Sequence, residues 1–500
     1  MEDYYISGRS APTILITGTL FASMLSTNGF MGDTAYSYSG NITTMILLNT
    51  LCASGYVIGA LFFGRYIRRA NATTMPEYFG NRFNSKRVRR FAGISVIISL
   101  QAYLLAVIQG TGILMESLTG YNINTCLFIA WLCITSFTFY AGSKGVIITD
   151  TIMFIIFLLA VIVGGPFIFE KAGGINNLIA NLLNNPNTPE GLLSYHGNTH
   201  GQSVFDIVFY GVTVGIIWLI TVAVSPWQAG RNLMAKNEHV IFRSSVLTAI
   251  CTIVFLTYLY LMAVSVIVLN PNMQDPEKVL IWAALNVMPN FIGLMVLAGI
   301  MAAGLSSAST FLSVISFSIS SDIFNIKFSS EKQHIWFTRA VVLVVSITAL
   351  YLSTLNLSSI RIISWFASTI IASSWGFIAF ASVWSKKITE RGAYLSMIGG
   401  FFGYIAAKVL KEIFGMPFVN VFDPFFIGIT ISILLGIIGS INQTKTQEEE
   451  DFQNSIHKIP AKECIANDYK QDRLYGILLI TVGIIVSFIF IKFWAVPVNS

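Results

Sequence analysis

Charge is what this sequence most lacks. Only 11% of its 500 residues are Asp, Glu, Lys or Arg, against about 25% in a typical soluble domain. So few charges cannot cover the surface of a water-soluble chain of this length, which excludes a large soluble enzyme. Cysteine is scarce as well. Cys52, Cys126, Cys133, Cys251 and Cys464 contain no C-x-x-C pair and lie mostly inside apolar runs, so neither a disulfide framework nor a cysteine zinc site is expected. His196, His200, His239, His334 and His457 fall outside the apolar runs or at their edges. They form no ligand cluster of the kind a membrane metalloenzyme needs. The net charge of +6 is not gathered on one amphipathic face, which argues against a nucleic acid partner. Met1 is followed by acidic and polar residues rather than a basic stretch, so no signal peptide is expected.

What the chain has in excess is apolar sequence. It is 54% hydrophobic with a mean hydropathy of +0.70, and the apolar residues come in long runs. A spanning helix needs about 20 such residues. The expected fold class is therefore an all-α polytopic membrane protein with about 13 transmembrane helices. The candidate spans are 11–31, 42–64, 91–117, 124–141, 145–168, 204–224, 243–269, 288–324, 333–355, 359–384, 393–411, 424–441 and 473–495.

Basic residues accumulate on cytoplasmic loops. On the N-terminal side lie Arg9, Arg65, Arg68, Arg69, Arg82, Lys86, Arg87, Arg89, Arg90, Lys144, Arg231, Lys236 and Arg243. That side continues with Lys327, Lys332, Arg339, Lys386, Lys387, Arg391, Lys445, Lys458, Lys462, Lys470 and Arg473. The opposite side has only Lys171, Lys278, Arg361, Lys408, Lys411 and Lys492. The expectation is a multi-pass protein of the plasma membrane with a cytoplasmic N-terminus and an outside C-terminus. The acidic run Glu448–Glu449–Glu450–Asp451 sits in a cytoplasmic loop, 442–472, which reads as a solvated linker.

Breaks in the pattern carry the functional signal, because lipid cannot satisfy an unwound backbone. The first span is small and polar in its middle, with Ser23, Ser26, Thr27, Asn28 and Gly29. Such residues tolerate an unwound segment; they also serve close helix packing. The sixth span ends in Ser225–Pro226–Trp227–Gln228, and Pro226 bends or ends that helix. Two interrupted helices at matching places in two halves point to a transporter site. In the eighth span Ala303, Ser306 and Ser307 share one helical face. A carbonyl and two hydroxyls form a partial oxygen cage for a hard cation, although membrane serines also bond back to their own helix. Asp150 lies inside the fifth span, and an acid at that depth is a functional candidate.

Several stretches together resemble the sodium:solute symporter family over nearly the whole chain. They are DYYISGR at 3–9, FMG at 30–32 followed by YSG at 38–40, and TMPEYFGNRF at 74–83. Gly145 through Thr149–Asp150, SPWQAGR at 225–231 and the pair Ser306–Ser307 complete the set. Each is loose; their order and spacing are specific. The resemblance implies a leucine-transporter-like fold: a 5+5 inverted-repeat core with helices one and six broken, plus three C-terminal helices. The implied division is 1–170 for the first repeat, 204–384 for the second, and 393–500 for the additional helices with loop 442–472. It implies a sodium site built from the carbonyls of Ala22, Leu25 and Ala303 and the hydroxyls of Ser306 and Ser307, with Asp150 on the sodium exit path. Sodium would be the coupling ion, with no organic cofactor and no enzymatic activity, and the carrier would work as a monomer in the bilayer.

Two departures bear on the substrate and topology. Members of the family carry a helix ahead of the core, whereas Met1 lies almost directly before it here, so a lead helix is expected to be missing. Proline carriers have an acid beside the sodium carbonyls of helix one, where Met24 stands. Gly29 and Trp218 offer little to the hydroxyls of a sugar, each of which needs a partner. The expected cargo is a small carboxylate-bearing solute such as an amino acid, a monocarboxylate or a pantothenate-like acid. Broken-helix N-termini could hold its carboxylate with no arginine at mid-membrane. Asn28, Gln101, Trp218, Thr221 and Trp365 are the pocket candidates, with core packing as the alternative for the aromatic rings. A proton-coupled or sugar carrier of the same fold, and a non-transporting solute sensor, stay open as alternatives.

Overall fold

Apolar runs with no water to serve their backbone close their hydrogen bonds within helices. The computed structural model describes residues 5–140, 143–189, 191–193, 204–324, 329–355, 358–415 and 423–492. Asp3, Tyr4, His196, His200 and Lys327 lie outside the described residues, as do the ends of the runs 124–141 and 473–495. Every expected span contains a helix. These are α1 (Thr13–Met24), α2 (Ile42–Gly59), α3 (Lys86–Thr119), α4 (Ile123–Tyr140), α5 (Ser143–Lys171), α6 (Val204–Val224) and α7 (Glu238–Leu269). They continue with α8 (Asn290–Phe317), α9 (Glu331–Thr354), α10 (Ile360–Trp384), α11 (Glu390–Phe414), α12 (Pro424–Ser440) and α13 (Ala466–Phe490). Among the described residues, ten helical stretches are long and apolar enough to cross a membrane, and α1, α4 and α12 are shorter apolar helices. Length therefore does not by itself fix a count of thirteen crossings. The one extended pairing among the described residues is an isolated parallel bridge between Ala11 and Ala235.

Helices in lipid gain nothing from apolar contact alone, so they approach through small residues. A Cβ on Gly59 of α2 would stand 2.7 Å from the Ala223 Cα of α6. A Cβ on Gly299 of α8 would stand 3.2 Å from the Phe157 Cα of α5. Both contacts press helices far apart in the chain against each other. The last helix, α13, has no buried residue; Leu479 and Phe490 pack against the core, and its polar end is tied to α7. There Asp472 Oδ1 accepts from Arg243 Nε at 2.7 Å, and Asp468 Oδ1 accepts from Arg243 Nη2 at 2.8 Å.

The loop 442–472 is not the solvated linker expected. Its acidic run begins a helix, Gln447–His457, with a complete capping box between Thr446 and Glu449. Glutamates in a first turn are favoured by the helix dipole, so the run is an N-terminal signature as much as a solubilising one. The helix docks on the bundle. Ile456 is fully buried, Gln453 Nε2 donates to the Val383 carbonyl at 2.8 Å, and Arg69 Nη1 donates to the Ile456 carbonyl at 3.0 Å. Placing a carboxylate at Ile456 buries an unpaired charge. Ile456→Asp is expected to undock this helix and raise the rate of proteolytic cleavage within 442–465 by about tenfold or more, as opening of a local unit does. The α1–α12 bundle stays folded by circular dichroism. Unchanged cleavage would show that the docking contacts carry no stability.

Candidate functional site

Helix α1 stops in the middle of the first apolar run. Leu25 leaves the helical region with φ −82° and ψ 96°, while its N–H still bonds the Phe21 carbonyl. Helical turns resume at Asn28, whose N–H is held by the Ser26 hydroxyl at 3.1 Å. A helix end leaves its last carbonyls without intrahelical partners. The Ala22 carbonyl is one of these, and it accepts from Ser307 Oγ of α8 at 3.2 Å. The second interruption lies beside the first. Helix α6 ends at Val224, as Pro226 requires, and the chain turns into a short 3-10 segment, Ala229–Met234. Between them Gln228 reaches α1. Its amide nitrogen lies 3.3 Å from the Leu20 carbonyl and its oxygen 3.2 Å from the Met24 N–H, in the orientation that satisfies both.

One residue before Ser307, the α8 surface has turned by about 100°. Ser306 Oγ accordingly faces α5, donating to Asp150 Oδ1 at 2.6 Å. Asp150 Oδ2 accepts from Thr19 Oγ1 of α1, also at 2.6 Å. Asp150 is fully buried. Adjacent serines on α8 thus tie it to α1 through one hydroxyl and to α5 through the other. Ala303 is buried one turn earlier on the same helix. Ser307 thus meets Ala22, and Ser306 and Thr19 meet Asp150, on neighbouring faces of α8. Their oxygens are hard donors, the type a sodium ion prefers.

The buried acid has a partner that the sequence did not suggest. Arg231 Nη2 lies 3.5 Å from Asp150 Oδ2 and donates to Thr310 Oγ1 of α8 at 2.5 Å. Arg231 was counted with the cytoplasmic loops, and no arginine was expected at depth. The turn after Pro226 instead carries it into the bundle, where it is buried. The motif SPWQAGR held the signal, since its arginine follows a helix break rather than ending a loop.

The pocket candidates separate into two groups. Gln101 and Trp365 line a cavity of about 890 Å³ together with Tyr210, Thr213, Arg361 and Thr369. Asn28, Trp218 and Thr221 do not line it; they are buried in the bundle. Asn28 Nδ2 donates to Asp33 Oδ1 at 3.3 Å, and Thr221 Oγ1 donates to the Ser368 carbonyl at 3.2 Å. Trp218 meets Tyr103 edge-to-face at 6.4 Å. Several polar atoms around these residues have no partner among the described residues: Thr27 Oγ1, Asn28 Oδ1, Trp218 Nε1 and Ser225 Oγ. Each such orphan costs about 1–3 kcal/mol, and all four belong to the two interrupted helices or the turns that break them. A second, smaller space of about 50 Å³ is lined by Tyr5, Thr74, Arg231, Ser313 and Ser318. Tyr5 OH lies 3.1 Å from Ser320 Oγ there. Thr74 of the TMPEYFGNRF stretch donates to Asp322 Oδ1 at 2.9 Å.

The profile of the sodium:solute symporter family matches residues 4–400. The chain belongs to that family. It is a membrane transporter and not an enzyme. The "High-affinity proline transporter PutP" of Bacillus subtilis (strain 168) is 25% identical over 426 residues, covering 80% of this chain and 85% of that one. The "Sodium/proline symporter" of Escherichia coli (strain K12) is 23% identical over 485 residues, covering 90% and 91%. The "Sodium/pantothenate symporter" of the same organism is 23% identical over 331 residues, covering 65% and 66%. Among solved structures, a Na+-coupled sialic acid symporter in a substrate-bound outward-open state superposes with a TM-score of 0.74 at 20% identity, covering 89% of this chain and 93% of that chain. The expected fold, a leucine-transporter-like helical core, is thereby established.

For this symporter the Asp150–Arg231 pair is the costliest feature of the site to disturb. Removing one member of a buried ion pair leaves a charge in low dielectric at a cost of about 3–5 kcal/mol. Asp150→Asn and Arg231→Met are each expected to lower thermal stability of the detergent-purified protein by about that amount. Combining them costs less than the sum. Strict additivity of the two losses would show that the pair is not coupled.

Proposed function

We propose that this chain imports a small carboxylate-bearing organic solute together with sodium, by alternating access. The observation that carries the reading is the joint at Ala22, Ser306, Ser307 and Asp150. It brings hard oxygens from α1, α5 and α8 together where α1 is broken. In this reading sodium is cargo. The carbonyls of Ala22, Leu25 and Ala303 and the hydroxyls of Ser306 and Ser307 receive it, in place of the bond Ser307 otherwise makes to Ala22. Bound there, the ion fixes α1 against α8 and favours the arrangement with the large cavity open. The solute settles among Asn28, Trp218 and Thr221, near the Gln101 and Trp365 wall. Closure of the cavity and opening at the Tyr5–Ser320 contact then release sodium past Asp150. The membrane potential contributes about 2.3 kcal/mol per charge per 100 mV.

The proposed frame places 1–170 and 204–384 as the two inverted repeats and 393–500 as additional helices. The protein lies in the plasma membrane with its N-terminal side cytoplasmic, and it works as a monomer without an organic cofactor. The relatives named for proline and pantothenate support a carboxylate-bearing cargo, since both compounds are carboxylic acids. Met24 beside the α1 break sets this chain apart from the proline carriers.

Uptake into proteoliposomes tests the reading, with radiolabelled amino acids, organic acids and sugars, and with or without an inward sodium gradient. Sodium-dependent uptake of an acid is expected. The Ser306→Ala/Ser307→Ala double variant is expected to lose about 10²-fold or more of it, as loss of two cation ligands does. Uptake that ignores sodium but follows a proton gradient would overturn sodium coupling and favour protonation at Asp150.

A further inference from the structure

Arg361 has no role in the ion site or in the buried solute layer, yet it stands on the wall of the 890 Å³ cavity. It is the second residue of α10. The Tyr36 ring lies 3.7 Å from its guanidinium carbon on one side, and the Trp365 ring lies 4.3 Å away on another. Both distances are well inside the range of cation–π attraction. The hydroxyls of Tyr36 and Tyr210 stand beside the same guanidinium. The backbone holds it there as well, since a Cβ on Gly32 would meet Arg361 Cβ at 3.2 Å. The two ring faces fix the plane of the guanidinium, and the Tyr36 and Tyr210 hydroxyls take up part of its N–H capacity. Arg361 Nη1 is buried with no hydrogen-bond partner among the described residues. Here, then, is a positive fork held in place, with bonding capacity to spare, beside a cavity of small-molecule size.

Two carboxylates approach this arginine, and neither uses it up. Asp33 shares its Oδ1 with the Asn28 amide at 3.3 Å. Glu277 caps α10 by accepting from the Ile360 N–H at 3.1 Å. No ion pair of Arg361 occurs among the described residues. Glu277 already takes the Ile360 N–H and sets a carboxylate at the α10 N-terminus, which disfavours an arriving anion at that helix end. The guanidinium is the group left to meet it. A planar fork matches a carboxylate with two parallel N–H···O bonds, which a lysine ammonium cannot supply.

We propose that Arg361, clamped between Tyr36 and Trp365, is the carboxylate-recognition residue of the cavity and selects anionic solutes. The assignment rests on the carboxylate-symporter reading above. It differs from a scheme in which helix ends alone hold the solute's acid group. Trp365, expected in the pocket, acts in it by orienting this arginine.

The test uses the full-length protein in proteoliposomes with radiolabelled L-proline, pantothenate and pyruvate as probes, competed by each acid and by its methyl ester. The wild type is expected to take up at least one acid with sodium and to prefer the acid over its ester. Arg361→Gln is expected to raise KM for that acid by about tenfold or more, as loss of a bidentate charge-assisted pair does. It also erases the acid-over-ester preference, with Vmax changed much less. Arg361→Lys restores only part of the preference. The wild-type preference needs no variant to fold, so a misfolded variant does not protect the proposal. Sodium-dependent uptake with equal competition by acid and ester overturns the arginine assignment and leaves the symporter reading standing. The assignment is also overturned if Arg361→Gln and Asp33→Asn each lower Vmax but leave the acid preference intact, which marks Arg361 as a closing contact with Asp33. Absence of sodium-dependent uptake of every acid probe overturns both readings.

Discussion

A backbone carbonyl in the middle of a membrane must find a donor, and α1 ends where no water can supply one. The structure answers this with a side chain from another helix. The Ser307 hydroxyl replaces the turn that α1 does not make, at the Ala22 carbonyl. The arrangement of the rest follows from that substitution. It fixes the rotation of α8 about its axis, and that rotation aims Ser306 at Asp150. Asp150 in turn gathers Thr19 from α1 and Arg231 from the turn after α6. A break that would be a defect in a soluble helix thus becomes the point where four segments of the chain are held together.

The joint is held by bonds that a cation could take over one at a time. Ser307 and Ala22 bond each other through oxygens, and either oxygen can serve an ion instead. Asp150 is different, because its charge is already matched by Arg231 inside the bundle. A buried pair of this kind gains little net stability, since desolvation offsets the attraction. What it adds is a fixed local charge balance that an arriving cation alters. The bundle also holds an 890 Å³ cavity, while Tyr5 is tied to Ser320 and Thr74 to Asp322 elsewhere in it.

Arginine position is what distinguishes this molecule from its pattern. Arg231 and Arg361 both count as loop residues in a tally of charges between apolar runs. One is carried inward by a proline-broken helix end, and the other begins a helix at the mouth of a cavity. Each is stabilised by what surrounds it: a carboxylate for Arg231 and two aromatic faces for Arg361. Charge counting orients a membrane chain well because most basic residues do stay in loops. It says nothing about the few that do not.

The sequence by itself determined the class of the protein, the helices, both breaks and the family. Those properties depend on the local chain: apolar length, Pro226, the small residues around Ser26, and short motifs in a fixed order. It also named Ser306 and Ser307 through helical spacing and the family pattern, Asp150 through its place inside an apolar run and the same pattern, and Ala22 through the family pattern alone. It did not place Asp150 against Ser306, or Arg231 against Asp150, since those contacts join residues 156 and 81 positions apart. It grouped Gln101 and Trp365 with Asn28, Trp218 and Thr221, although only the first two line the large cavity. It read 447–457 as solvated, because an acidic run looks alike whether it faces water or begins a docked helix. Only the tertiary structure decided these, since which side chains meet across helices depends on the rotation and depth of each helix, and packing against neighbours sets both.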